Sequence, residues 1–220
     1  MRLKRIFKKY FQWLGAIISL SLTSHHALAS VDVYLGVDIG SMQMKETLGG
    51  SDYTNQGTFF IGHWGYSLGI RPQLKLGSIG LGVVGELSWI SESMDRRLSG
   101  SSSVTTYRSE FYRYLSGASL SFFAGNSSSI ILEYYPLVQN TVKYSDNKTL
   151  NPHQKNDKLK SDGYGVGFNF GFNNTIAYQL IYKRLNLRSG TMSGVEVKFP
   201  NDQYSLPNLE EVMFGFVLRY

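Results

Sequence analysis

The sequence predicts an all-β fold, an eight-stranded antiparallel up-and-down transmembrane β-barrel that follows an N-terminal signal peptide. Three observations carry this prediction: a leader-like first segment, a period-two alternation of apolar and small or polar residues in eight later segments, and connections that alternate between long and short. No apolar run after the leader approaches the 18 residues that suggest a helical span. Membrane helices are therefore not expected in the remaining chain.

Residues 1–29 have the three parts of a secretory signal. A basic start is followed by an apolar run from Phe11 to Thr23 and by the small-residue ending Ala27-Leu28-Ala29. An anchoring helix would need roughly 20 apolar residues, and this run is shorter and contains Gly15. We expect cleavage after Ala29, which leaves residues 30–220 as one barrel domain.

Composition excludes several classes of protein. The chain has no Cys, so disulfide scaffolds and thiolate metal sites are ruled out. The formal net charge is +6, but five of the cations lie in the leader, and the remainder has 17 Lys and Arg against 16 Asp and Glu. A basic surface for nucleic acid is therefore not predicted.

Eight segments alternate in the manner of strands that have two different faces. They are 31–42, 58–71, 78–90, 107–124, 129–144, 163–172, 175–187 and 208–220. The clearest is 163–172, where every second residue is aromatic or Val and the others are Gly or Asn. Pro136 lies within the fifth segment and predicts a bulge, because proline cannot donate to the ladder.

The connections between these segments have two lengths. Long ones cover 43–57, 91–106, 145–162 and 188–207, whereas the short ones are 72–77, 125–128 and 173–174. Tight turns at one end and long loops at the other are typical of outer-membrane barrels. Eight strands would place both ends of the barrel chain on the short-turn side.

A soluble barrel also alternates with period two, so the composition of the weaker face distinguishes the two models. That face is rich in Gly and Ser, which suits the crowded interior of an eight-stranded barrel. The other face is apolar and would meet lipid. Its aromatic residues form two bands, as expected at membrane interfaces. One band is Trp89, Tyr112, Tyr144, Tyr164 and Tyr182, and the other is Phe122, Phe172, Tyr178 and Tyr220.

Three stretches carry a family resemblance: "VYLGVDIG", "GYGVGFNFGFNNTIAYQLIYKRLNL" and the terminal "MFGFVLRY". The chain resembles the small eight-stranded outer-membrane barrels of Gram-negative bacteria, of the outer-membrane protein A and opacity-protein type. The resemblance implies location in the outer membrane as a monomer, in contact with outer-membrane lipid and lipopolysaccharide. It also implies handling by periplasmic chaperones and the barrel-assembly machinery. The residues that would form the C-terminal assembly signal are Phe214, Phe216, Leu218 and Tyr220, although the family usually ends in Phe.

Counting from the short-turn ends places five inward-facing polar residues at one depth. These residues are Asp38, His63, Glu86, Lys183 and Glu211. Because an unpaired buried charge is very costly, we expect them to form a structural layer of ion pairs inside the barrel. The alternatives for this layer are a gated conduction path, a proton relay or a metal site. We assign no catalytic, cofactor-binding or metal-ligating residues from the sequence, and we expect no cofactor.

The predicted function is a structural or surface-adhesive role, exercised through four long extracellular loops that could bind a host or surface ligand. One alternative is an enzyme that modifies lipid A, which would need an activated hydroxyl beside a base. His63 has interior parity and His153 lies in a loop, so neither suits that role, and the chain is not expected to be an enzyme. A narrow channel is the other alternative.

Overall fold

The computed structural model describes residues 28–48, 51–57, 63–102, 104–125, 128–144, 157–192, 195–199 and 204–220. Most of the predicted leader, residues 1–27, lies outside these ranges, as does His153. The described part of the chain contains no helix that could cross a membrane.

The described residues form ten strands. They are β1 (Leu28–Leu48), β2 (Ser51–Gly57), β3 (His63–Leu76), β4 (Ile79–Leu98), β5 (Val104–Ala124), β6 (Ser128–Tyr144), β7 (Asp157–Gly171), β8 (Ile176–Met192), β9 (Val195–Lys198) and β10 (Tyr204–Arg219). Eight of them form a closed antiparallel ring in the order β1, β3, β4, β5, β6, β7, β8, β10 and back to β1. The eight-stranded antiparallel barrel predicted from the sequence is confirmed.

β10 closes the ring against β1 with a register that runs from Asp32 opposite Arg219 to Glu46 opposite Tyr204. At the end of this seam, Val31 and Tyr220 exchange two backbone hydrogen bonds of 2.9 and 3.0 Å. The described start of β1 pairs with Lys75, beside the first tight turn. Both ends of the barrel chain therefore lie at the short-turn end, as predicted.

The tight turns follow local chemistry. Gly77 and Gly125 have φ of 64° and 73°, in the left-handed region that only glycine adopts at no cost. In the third turn the Asn173 carboxamide oxygen accepts hydrogen bonds from the backbone N–H groups of Thr175 and Ile176, both at 2.8 Å. The predicted connection at 72–77 is wrong, because β3 continues to Leu76 and the turn is formed by Gly77 and Ser78.

The predicted long loops are also wrong over much of their length. β1, β4 and β8 continue into them, β5 and β7 begin within them, and β2 and β9 lie wholly inside them. Arg96 and Arg97 of β4, for example, pair with Thr105 and Val104 of β5. Beyond the apolar belt the outward face meets water and no longer needs apolar residues, so the hydrophobic alternation is lost while the backbone ladder continues. In the described residues, β1–β2, β4–β5 and β8–β9 are therefore extended β-hairpins.

The two faces of the barrel strands agree with the predicted parity. On β7, Phe168 is 43% exposed and Asn169 is 2% exposed. Glycine is required where a large interior side chain crosses a neighbouring strand, because a Cβ at Gly69 would overlap the Tyr34 ring. The barrel thus has an apolar outer surface and a tightly filled interior.

The bulge predicted at Pro136 is confirmed. The register between β6 and β7 shifts between Tyr135 and Val138, and the register between β5 and β6 shifts between Ser116 and Ala118. A Cβ at Gly117 would overlap the carbonyl oxygen of Tyr134, so the backbones approach closely at this point. Both shifts place the extra residue on β6, whereas β5 keeps one register against β4.

Candidate functional site

The structure places all five residues of the predicted polar layer inside the barrel. Asp38, His63, Glu86, Lys183 and Glu211 are each at most 1% exposed. They come from β1, β3, β4, β8 and β10, so the closure of the barrel brings them together. Together they form most of a charged layer that crosses the lumen.

Lys183 is the centre of this layer. Its Nζ lies 2.6 Å from Glu86 Oε1, 3.3 Å from Glu211 Oε1 and 3.5 Å from Asp38 Oδ1. Each of these carboxylates comes from a different strand. The ammonium group therefore joins three walls of the barrel through charge-assisted contacts.

Arg113 of β5 is the second cation of the layer and is not among the residues predicted from the sequence. Its two terminal nitrogens contact the two oxygens of Glu211 at 2.7 and 2.6 Å, a bidentate pair. One of them also donates to Ser88 Oγ at 3.2 Å and lies 3.6 Å from Glu86. The inward parity of Arg113 could have identified it.

A second charged layer lies nearer the short-turn end and was also missed. Arg71 contacts Glu133 through Nη2 at 2.6 Å and through Nε at 2.8 Å, and it donates to Gln179 Oε1 at 3.1 Å. Asp32 lies 3.5 Å from Arg71 and accepts a hydrogen bond of 2.9 Å from Arg219 Nε. Two cations and two carboxylates balance in this layer.

Two buried tyrosines contact the layers, and one of them, Tyr34, connects the two. The Tyr34 hydroxyl donates to Glu86 Oε2 at 3.0 Å, and its ring lies under the Arg71 guanidinium, 5.1 Å from centroid to Cζ. The Tyr135 hydroxyl donates to Glu133. Polar contacts and aromatic rings therefore fill the lumen between the two layers, leaving no wide aqueous path through this part of the barrel.

Asp38, Glu86 and Glu211 have carboxylate oxygens within 4.8 Å of one another, a spacing that could suit a metal ion. The Lys183 ammonium contacts all three of them. A cation at that point would face an adjacent positive charge, so this trio fits an ammonium partner better than a metal.

A row of three polar residues lies at the other end of the charged layer. His63, Glu92 and Ser109 are neighbours across β3, β4 and β5, and each is 1% exposed. His63 Nδ1 lies 3.6 Å from Glu92 Oε2, and His63 Nε2 lies 3.7 Å from Glu211 Oε2. Within the described residues, no hydrogen-bond partner is found for the side-chain nitrogen and oxygen atoms of this row.

The outward face carries the aromatic bands. Trp64, Tyr66 and Trp89 pack with ring centroids 5.4 to 6.2 Å apart near the long-hairpin end. Tyr178 contacts Phe172 at 4.7 Å near the short-turn end. The side chain of Tyr144 lies outside the described residues. The predicted terminal signal, Phe214, Phe216, Leu218 and Tyr220, also faces outward, with exposures of 52%, 53%, 42% and 74%.

Comparison with known proteins identifies structures only. No protein-family model matches the chain. No curated protein matches it either. The outer-membrane protein OprG from Pseudomonas aeruginosa is similar in structure, with a TM-score of 0.54, 9% identity and coverage of 89% of this chain and 97% of that chain. The chain has the fold of the small outer-membrane β-barrels.

Two further barrels match less closely. Neisserial surface protein A has a TM-score of 0.48, 10% identity and coverage of 86% of this chain and 97% of that chain. Ail, the attachment invasion locus protein of Yersinia pestis, has a TM-score of 0.44, 15% identity and coverage of 86% and 99%. The closed barrel and its outward face of Leu, Val and aromatic residues are the features of a protein that spans a membrane with strands.

Proposed function

We propose that this barrel has a structural or adhesive role at the cell surface, exercised through its four long hairpins. The observation that carries the proposal is that strand pairing continues far beyond the apolar belt. On β4 the belt ends at Trp89, yet the strand runs on to Leu98 and stays paired with β5. Nine further residues correspond to roughly 30 Å of strand length.

Two of these hairpins, β4–β5 and β1–β2, have side-chain hydrogen bonds of their own. Thr106 donates a hydrogen bond of 2.7 Å to Asp95 across the β4–β5 hairpin, and Thr47 donates one of 2.7 Å to Asp52 in the β1–β2 hairpin. A surface that is already ordered loses less conformational entropy when it binds a partner. The hairpins are therefore suited to hold a ligand of the outer medium, while the filled lumen argues against a wide channel.

Cations on the outward face support contact with lipopolysaccharide. Lys143, Lys158, Lys160 and Arg188 are exposed on β6, β7 and β8, beyond the aromatic residues Tyr112, Tyr164 and Tyr182. Lys143 Nζ lies 4.4 Å from the centroid of the Tyr112 ring, so at least one of these cations sits directly at the aromatic band. Phosphate groups of the outer leaflet would meet these side chains.

Hairpin shortening tests the adhesive role. Ser93 and Arg108 are paired, so residues 94–107 can be replaced by Asn-Gly to close a two-residue turn. A matched variant shortens the β8–β9 hairpin instead. Cells carrying the full chain should bind cultured epithelial cells or immobilised matrix proteins, and at least one shortened variant should lose that binding while its barrel still shows heat-modifiable gel mobility. Binding by the full-length chain no greater than that of cells without the barrel would contradict the proposal.

Two other functions are tested separately. For a lipid A-modifying enzyme, neither nitrogen of His63 is hydrogen-bonded to a described hydroxyl, and both face carboxylates in the lumen. Identical lipid A mass spectra from cells with and without the chain would exclude that enzyme. The linked polar layers favour at most a narrow ion path, for which small conductance steps in planar bilayers would be the evidence.

The leader belongs to the same proposal. We propose that residues 1–29 direct export and are removed after Ala29, and that periplasmic chaperones and the barrel-assembly machinery receive residues 30–220. N-terminal sequencing of the protein from outer membranes should begin at Ser30. A start within residues 1–27 would show that the leader is retained.

A further inference from the structure

The row formed by His63, Glu92 and Ser109 contains buried polar atoms that lack the partners such atoms normally have. Both imidazole nitrogens, both carboxylate oxygens and the Ser109 hydroxyl are without a hydrogen-bond partner among the described residues. Buried side-chain polar atoms in proteins are almost always hydrogen-bonded, and exceptions commonly indicate a water or an ion. Five such atoms in three adjacent residues indicate a site for a bound species.

The geometry of the row resembles a ligand pair. His63 Nδ1 and Glu92 Oε2 are 3.6 Å apart, longer than a hydrogen bond. Nitrogen and oxygen ligands at about 2.0 to 2.1 Å from a tetrahedral zinc ion lie roughly 3.4 Å from each other. Small side-chain adjustments would therefore let both atoms bind one ion.

The other side of the imidazole fits the same interpretation. His63 Nε2 faces Glu211 Oε2 at 3.7 Å. Metal-ligating histidines usually direct their second nitrogen toward a carboxylate or carbonyl, which fixes the tautomer and the ring orientation. Glu211 is itself held by the bidentate contact with Arg113, so it can position the ring without binding the ion.

Charge also favours a cation at this row. The layer and the row together contain four carboxylates and two permanent cations. These are Asp38, Glu86, Glu92, Glu211, Arg113 and Lys183. Lys183 and Arg113 contact Asp38, Glu86 and Glu211, whereas among the described residues Glu92 is paired with the imidazole of His63 alone. With His63 neutral the balance is −2, which one divalent ion would neutralise at the carboxylate that most needs it.

We propose that His63 and Glu92, with the Ser109 hydroxyl as a further donor, bind one divalent transition-metal ion of the zinc class inside the barrel. The mixed nitrogen and oxygen ligand set suits zinc rather than magnesium or calcium, which take oxygen ligands. The proposed ligands do not include the three carboxylates around Lys183, although one of these, Glu211, orients the imidazole of His63. The site also does not depend on an adhesive role for the hairpins.

Equilibrium dialysis with zinc chloride tests the site. The barrel is purified without a tag from outer membranes, stripped with a chelator and studied as the His153→Ala variant, so that His63 is the remaining histidine of the exported chain. We expect one zinc ion per chain, and at least tenfold weaker binding after Glu92→Gln or His63→Gln. Glu110→Gln is the matched control, because Glu110 is next to Ser109 in sequence but hydrogen-bonds to the outward-facing Tyr112. Heat-modifiable gel mobility shows whether each variant is folded.

A second measurement needs no change at the site. In the His153→Ala chain labelled with ¹⁵N-histidine, zinc should shift the Nδ1 resonance of His63 in detergent or nanodiscs, and cobalt should give visible absorption bands of a nitrogen-ligated ion. No saturable binding by the folded chain would overturn the proposal. Binding unchanged by both site substitutions, or an imidazole resonance unmoved by zinc, would also overturn it and leave the row as a protonated histidine between two carboxylates.

Discussion

Phe168 gives the sharpest test of how the barrel sits in lipid. It faces outward from β7, with Ile130 and Leu180 as its partners on the two neighbouring strands. It lies four residues from both Phe172 and Tyr164, or about 13 Å of strand in each direction. Phe168 is therefore near the middle of the apolar belt, where an Arg on the lipid face costs about 2 to 4 kcal/mol. Phe168→Arg should lower the free energy of unfolding by that amount.

Two substitutions on the same strand serve as controls. Tyr164→Arg lies at the edge of the belt, where the cost of an Arg falls to about 0 to 1 kcal/mol. Asn169→Ser changes an inward side chain whose amide has no hydrogen-bond partner among the described residues, so it should also have a small effect. Reversible urea unfolding in lipid vesicles measures all three. If Phe168→Arg costs no more than Tyr164→Arg, Phe168 is not at the membrane centre and the assignment of faces on β7 fails.

Three other outcomes follow from the structure. Arg113→Met leaves Glu211 without its bidentate partner and should lower the free energy of unfolding in urea by about 3 to 5 kcal/mol. The double variant Arg113→Met with Glu211→Met should lose less, and a double variant as unstable as the single one would contradict the pairing. An epitope inserted at Gly100, in the β4–β5 turn, should be labelled by antibody on intact cells, and the same epitope at Gly77 should be labelled only after the outer membrane is opened. Labelling of Gly77 alone would invert the topology. Purified monomer should give no porin-sized conductance steps in planar bilayers, because side chains fill the lumen; steps of that size would show that the charged layers do not close it.

Side-chain parity was readable from the sequence because one rule decides it. A strand in a barrel places alternate residues in lipid and in the lumen, so the assignment of Val33, Leu35 and Val37 to one face and Asp38 to the other needs only the period of two. Depth was readable for Lys183, Glu86 and Glu211, because their strands run without a bulge to the short-turn end. The polar layer could therefore be located before its contacts were known.

Arg113 and Glu133 show where such counting fails. Arg113 lies eleven residues from Ala124, opposite Ser88 of β4, and its long side chain reaches Glu211 from there. Glu133 pairs with Arg71, which is the last residue of the predicted strand 58–71. Neither partner choice can be read from alternation, because the stagger between neighbouring strands and the reach of a long side chain across the lumen are properties of the closed barrel.

Strand ends were the other error, and the cause is the change of solvent. Within lipid every backbone group must pair and the outward face must be apolar, so the hydrophobic pattern and the paired strand cover the same residues. Beyond Trp89 and Tyr164 the outward face meets water, which accepts either kind of side chain, and the pairing of Arg97 with Val104 cannot be recognised from a hydrophobic period. The hydrophobic pattern thus marks the belt rather than the strand.

The seam between β1 and β10 has a consequence for the timing of assembly. Its ion pair joins Asp32 to Arg219, which are 187 residues apart in the sequence. The other neighbouring strands of the ring are close in sequence, whereas β1 can pair with β10 only after the last residues of the chain are present. Contacts of such long range impose the largest loss of chain entropy and slow folding. Until they form, β1 and β10 present unpaired edges that lipid cannot satisfy. The intermediate most in need of protection is therefore an open sheet whose two free edges are the first and last strands.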